Sequence, residues 1–254
     1  MHCFDAIRAF PGDVGFYYRV LGEEGIVTHN PDLPLVAASV IKIPIMVTAF
    51  RDIAEGRLDP GETIAIAPGD KMPSCGALTY MHDGLEVTLL DLVTLMIVLS
   101  DNTATNLLID RLTPEHVNRT MLALGIPGIA LRRRLFDMEL FRRGIHNTVT
   151  ARGVGLLLER MAQGKLLGAE ADRAMVDILL NQRLNGKLPF YLHGKGIRCA
   201  HKTGEDDDIT HDVGIVYAEK PFVVCMLSNN VEVPAFERLI QDAARELALG
   251  VWQP

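Results

Sequence analysis

The chain has 254 residues, 48% of them hydrophobic, 22% charged and 6% aromatic, with a formal net charge of −7 and a pI near 5.6. This composition excludes a disordered or collagen-like chain, and the length allows one large domain or two intimate subdomains around a full core. An acidic surface argues against nucleic acid and anionic membrane surfaces as partners, and no charge-free apolar stretch of about 18 residues is present to span a bilayer.

The first residues, Met1-His2-Cys3-Phe4-Asp5-Ala6-Ile7-Arg8, have no basic start and no apolar run, which reads as no secretory signal and a cytoplasmic protein. Cys3, Cys75, Cys199 and Cys225 show no C-x-x-C spacing and are expected as reduced thiols. The eight histidines are scattered, so neither a metal nor a cofactor is expected.

In chain order, Val14–Leu21 and Ile26–Thr28 flank a Gly-Glu-Glu-Gly turn and predict a β-hairpin. Ser39–Glu55 predicts a helix with Val40, Ile43, Val47 and Phe50 on one face. Further helices are predicted for Thr88–Leu99, Asn102–Leu112, Pro114–Leu124, from Thr150, and for Ala171–Leu180. Between them, Leu131–Asn147 carries Arg132, Arg133, Arg134, Arg142 and Arg143, a charge run that reads as a solvated face. Strands return at Ile197–Thr203, Val213–Tyr217 and Phe222–Leu227, and Pro234–Leu249 closes the chain as a helix. Strands at both ends around a helical middle predict an α+β fold. One antiparallel sheet would come from residues 1–55 and 190–254, with a helical lobe from 56–189 and the cleft between them.

The chain has only four serines, and two of them open motifs. Ser39-Val40-Ile41-Lys42 is S-x-x-K, Ser100-Asp101-Asn102 is S-D-N, and Lys202-Thr203-Gly204 is K-T-G. Alone S-x-x-K is weak, with about 0.1 chance occurrences at this composition, but the three together are rare. A serine hydroxyl needs a base to become a nucleophile. Positions i and i+3 of a helix share a face, so Lys42 can reach Ser39. Burial, or Lys202 nearby, would lower the Lys42 pKa enough for it to accept the proton. Ser100 could relay the proton to a leaving nitrogen and Asn102 could bind a substrate carbonyl. Gly204 permits close backbone approach, and the N–H groups of Ser39 and Glu205 could form an oxyanion hole.

This ordered triple resembles the signature of the class A β-lactamases and penicillin-binding proteins. The resemblance extends from about Gly12 to Leu249 and is strongest in LDPGETIAI, DLVTLMIVLSDNTATNLLIDRL and HKTGE…HDVGIVY. It implies a β-lactamase/transpeptidase-like fold, with a five-stranded antiparallel sheet and an all-helical lobe. It also implies Ser39 as acylated nucleophile, Lys42 as its base, Ser100 as proton shuttle, and Asn102, Lys202 and Thr203 as substrate-binding residues.

Three departures stand out. The family's E-x-x-L-N tract, which supplies the deacylating base and holds its water, is matched by Asp137-Met138-Glu139-Leu140-Phe141. Asp137 is one methylene short of Glu, and Phe141 cannot hydrogen-bond water, leaving Asp137 or Glu139 as candidate bases. Glu205 follows K-T-G where a small or hydroxyl residue is usual; it is expected to pair with Lys202 or to receive a basic or neutral substrate group. Asp206 to Asp208 read as a solvated acidic turn. Finally, the missing export signal contrasts with the family's site of action outside the cytosol.

The sequence therefore predicts a serine hydrolase acting through a Ser39 acyl-enzyme on a small lactam, amide or ester, with weak or deacylation-limited β-lactam hydrolysis. The alternatives are a true β-lactamase using Asp137 or Glu139, and a penicillin-binding or sensing module without turnover.

Overall fold

The structure, a computed structural model, describes residues 2–250. Helix α1 (Cys3–Ala9), absent from the sequence expectations, is capped by the His2 side chain, which accepts from Phe4 N. Strands β1 (Asp13–Val20) and β2 (Val27–His29) form the predicted hairpin. Strand β3 (Leu35–Val36) leads into a 3-10 turn, Ala38–Ile41, and then into α2 (Lys42–Ala54). The helix predicted from Ser39 thus begins as a tighter turn. Strands β4 (Thr63–Ala65) and β5 (Glu86–Thr88) pair across a long loop. A capping box starts α3 (Leu89–Val98): Asp91 N donates to the Thr88 hydroxyl and Thr88 N to the Asp91 carboxylate. After α4 (Asn102–Leu112) comes α5 (Pro114–Ala123), with Pro114 in its first turn where the missing N–H costs nothing. The chain continues through α6 (Met138–Arg142), β6 (Thr148–Val149), α7 (Ala151–Ala162) and α8 (Ala169–Leu180). Strands β7 (Arg198–Asp206), β8 (Ile209–Tyr217) and β9 (Phe222–Asn229) and helix α9 (Val233–Leu249) complete it.

The fold is α+β. Five antiparallel strands from both ends of the chain run in the order β2-β1-β9-β8-β7. Side chains alternate across this sheet. Val213, Ile215, Val223, Cys225 and Leu227 face the main core with the helical lobe. Val14, Phe16, Val216, Val224 and Met226 face α1 and α9. Cys3 N donates to Glu246, which also takes His2, and so fastens α1 to α9.

Helix α2 is buried nearly all round and packs against α3, α4, α5 and α8, while α7 lies on β1, β8 and β9. Helix α2, from the 1–55 part, thus packs on helices of the 56–189 stretch. Of the arginines of the 131–147 stretch, Arg132, Arg134, Arg142 and Arg143 are exposed, as a solvated face requires, and Arg133 is half-buried. Arg132 donates to His146 O and Thr148, Arg133 to Ile145 O, and Arg134 pairs with Asp110. Asn147 accepts from Arg132 N and Arg133 N, so these contacts shape the loop. No helix among the described residues is long and apolar enough to cross a membrane. The four cysteines are free, Cys75 exposed and the other three buried.

Candidate active site

The three motifs converge where the 3-10 turn, the α3–α4 connection and edge strand β7 meet. Ser39 sits in the turn, directly after Ala38, whose φ of +41° is unfavourable for a residue with a side chain. Ser100 is likewise held at φ +55° between two helices. Such strain persists only where the surroundings enforce it, and here it brackets the nucleophile candidate.

The Ser100 hydroxyl is the hub. It lies 2.9 Å from the Ser39 hydroxyl, 2.9 Å from Lys42 Nζ and 3.1 Å from Lys202 Nζ. Lys42 Nζ donates also to Ser100 O at 2.7 Å and to Asn102 Oδ1 at 2.9 Å. The Lys42 backbone N–H donates to Ser39 O in the turn, but among the described residues no hydrogen bond joins Lys42 Nζ to the Ser39 hydroxyl. The helical spacing brings the lysine to the right face, but its amine ends on Ser100. This corrects the expected direct contact: the 3-10 geometry of the turn and the acceptors on the α3–α4 connection draw the amine across.

Both lysines are fully buried. Desolvation, then the neighbouring Lys202 charge, holds the Lys42 pKa well below the ordinary lysine value. Burial brings Lys202 down to about 7. Two amines around one hydroxyl, with little water to carry their charge, favour a neutral Lys42.

Asp101 is buried and caps α4 through Ala104 N; its other oxygen accepts from Ala77 N at 2.7 Å and Leu78 N at 2.9 Å. It thereby pins the loop that carries Ser74 and Cys75. Asn102 donates to Pro73 O and lines the cavity. Thr203 is buried beside Lys202. Gly204 lets β7 approach the turn: a Cβ there would lie 3.2 Å from Ala38 Cβ and 3.3 Å from Ala37 O.

Glu205 does not pair with Lys202. Its carboxylate is 3.0 Å from Nζ of Lys187, a buried lysine that also donates to Gly204 O and His211 O. Lys202 lies too deep behind Ser100 to be its partner.

A cavity of about 380 Å³ opens over Ser39. Its walls include Ser74 and Cys75 from one loop, and Arg133, Leu135, Phe136, Met138, Phe141 and Asn147 from the other. Glu205, Asp206 and Asp207 form its rim. Asp137 and Glu139 are not among the lining residues. Asp137 is the N-cap of α6, accepting from Leu140 N at 3.0 Å. Glu139 is 84% exposed and points toward Arg143. Ser39, Lys42, Ser100, Asn102, Lys202, Thr203, Gly204 and Glu205 are thus brought together, and the two candidate deacylation bases are not.

The family model described as "Beta-lactamase enzyme family" matches residues 4–252. The chain belongs to this family. A β-lactamase structure from Sphaerobacter thermophilus is 33% identical, with a TM-score of 0.88 over 99% of this chain and 97% of that one. The structure of a PBP-A variant, an acyl-enzyme complex with penicillin G, is 28% identical. Its TM-score is 0.87, covering 98% of this chain and 94% of that one. β-Lactamase 3 of Bacillus cereus is 27% identical, covering 96% of this chain and 79% of that protein.

Several residues that shape this β-lactamase-family site carry no sequence signal of their own. Lys187 is one lysine in an irregular loop, and Phe136 is set by its φ of +61°. Asp101, the middle of S-D-N, was read only as part of that motif, and its role as the α4 cap is seen in the structure.

Proposed function

We propose that this family member is a serine hydrolase that forms an acyl-enzyme at Ser39 from a small lactam, amide or ester. Its turnover of β-lactams is slow because hydrolysis of that acyl-enzyme is limiting. The observation that carries the reading is the Ser100 hydroxyl, which touches the Ser39 hydroxyl and both buried amines. In acylation, Ser39 Oγ bonds to the carbonyl carbon, and its proton passes through Ser100 to neutral Lys42. The backbone N–H groups of Ser39 and Glu205 are assigned to the developing oxyanion. The same hydroxyl relay returns a proton to the leaving group.

Slow deacylation is supported by the loop opposite Ser39. Its cavity-lining side chains Leu135, Phe136, Met138 and Phe141 offer no base, and its two carboxylates are a helix cap and a solvent-facing group. The test is penicillin G and a p-nitrophenyl ester, followed by product release and intact mass. The expected result is a burst of one equivalent, slow steady turnover, and an adduct that Ser39→Ala does not form. Fast penicillin turnover without a detectable adduct would overturn the deacylation limit, and an adduct persisting in Ser39→Ala would overturn the nucleophile.

A further inference from the structure

We propose that the site selects an acyl donor whose side arm carries a positive charge, with Glu205, Asp206 and Asp207 recognising the cation beside the exposed ring of Phe136. This deepens the acyl-enzyme reading and rests on it for the position of the reacting carbonyl.

The argument begins with the charges lining the cavity. Three carboxylates, those of Glu205, Asp206 and Asp207, face one cation, Arg133. Arg133 is engaged in its own loop: Nε donates to Ile145 O at 3.0 Å, Nη1 donates to Arg134 O at 3.1 Å, and the guanidinium lies 5.3 Å from the Phe141 ring centre. Lys187 meets Glu205 from behind; the lysine side chain is 3% exposed and the glutamate side chain 58%. The outer face of that carboxylate therefore stays open to the cavity. Asp206 and Asp207 make no ion pair among the described residues, and Asp208 adds a fourth exposed carboxylate at the same turn. The lysines that family resemblance would offer to an anionic substrate are withdrawn, since Lys42 and Lys202 are both fully buried behind Ser100.

The apolar lining of the same cavity supplies the second half of the recognition. Phe136 is 42% exposed, held into the cavity mouth by a left-handed backbone that a phenylalanine does not adopt freely. Met138 and Phe141 continue the apolar surface. Carboxylates and the exposed Phe136 ring lining one cavity suit an organic cation, which gains from both the charges and the ring quadrupole. A carboxylate-bearing β-lactam meets the reverse situation, a net negative rim at the entrance to Ser39.

The covalent step is unchanged. Ser39 Oγ forms the ester to the acyl carbon, the bond to the leaving group breaks, and the leaving group departs with the proton that Ser39 gave up. Water then releases the acid and restores the Ser39 hydroxyl.

The test uses three p-nitrophenyl esters of matched size: trimethylammonio-butyrate, its neutral tert-butyl isostere, and hemiglutarate. kcat/KM is measured on the wild-type chain across salt concentration. The cationic ester is expected to exceed the neutral one by about 10-fold or more at low salt, with the anionic ester slowest. Rising salt should compress the series from both ends. In Asp206→Asn/Asp207→Asn the cation-to-neutral ratio should fall towards one. Calorimetry of Ser39→Ala with the three corresponding amides gives a readout independent of acylation. A missing or reversed charge ranking in both assays overturns the inference, as does a ranking that survives intact in the double variant. If no ester acylates Ser39 while the amides still rank by charge, the acyl-enzyme reading falls and the cation site stands.

Discussion

The hydroxyl oxygens of Ser39 and Ser100 lie 2.9 Å apart. Lys42 reaches the nucleophile only through that second hydroxyl, so the two residues act as one unit. Ser100→Ala and Lys42→Arg should each slow acylation by about 10²–10⁴-fold, the usual worth of general-base catalysis. Residues in series do not add, so the double variant should be little worse than the poorer single one. The rate of adduct formation by intact mass measures this. Multiplying losses would show that Lys42 and Ser100 serve Ser39 independently.

Lys202 gives a pH dependence with a definite sign. Burial lowers its pKa to about 7 in the folded chain, against 10.5 for the ordinary side chain. Between those values the unfolded chain binds more protons, so stability rises with pH; the contribution is complete above 10.5 and is lost as pH falls toward 7. From pH 7 to pH 9 the wild type should gain on the order of 2 kcal/mol relative to Lys202→Met. Urea midpoints at both pH values test it, and parallel midpoints would refute it.

His211 reports on the opposite side of neutrality. Its Nδ1 accepts from Ser228 N at 3.0 Å, so Nε2 carries the proton and donates to Val36 O at 2.8 Å. Through this bond β8 holds the strand that leads into the Ser39 turn. Burial, before any other influence, brings its pKa down to about 4 from 6.5. The unfolded chain therefore binds more protons between pH 4 and 6.5, and stability is lost as pH falls through that window. Relative to His211→Gln, the wild type should lose about 2 kcal/mol between pH 7 and pH 5. Denaturation midpoints that fall equally in both proteins would assign the acid sensitivity elsewhere.

What the sequence made legible was local. Thr88 with Asp91, and Thr150, announce helix starts because a cap acts within one turn. The strands of the two termini show as β-branched runs, and the S-x-x-K, S-D-N and K-T-G residues do meet in space. What stayed hidden depends on partners far along the chain. The Lys187–Glu205 pair, the route from Lys42 through Ser100, and the backbone of Phe136 have no local pattern. Asp137 was read by alignment as a displaced catalytic acid, but the same residue type at a helix start serves as a cap. One motif position admits both uses, and only the path of the loop separates them.

That separation gives the last prediction. If Asp137 is a cap, Asp137→Ala should cost roughly 1 kcal/mol of stability, the usual loss at such a site, and leave the deacylation rate within a few-fold. If it were the base, deacylation would fall by about 10²-fold or more. The apolar wall can be altered separately. Met138 lines the cavity and is 47% exposed, at the first residue of α6, where the positive end of the helix favours a carboxylate. Met138→Glu would place an acid on the wall facing Ser39 without removing the Asp137 cap. The decay of a preformed penicillin adduct, followed by intact mass, should then quicken in Met138→Glu and hold steady in Asp137→Ala. Collapse of deacylation in Asp137→Ala would restore that carboxylate to the chemistry, and an unchanged decay in Met138→Glu would show that a base at this wall is not what the site lacks.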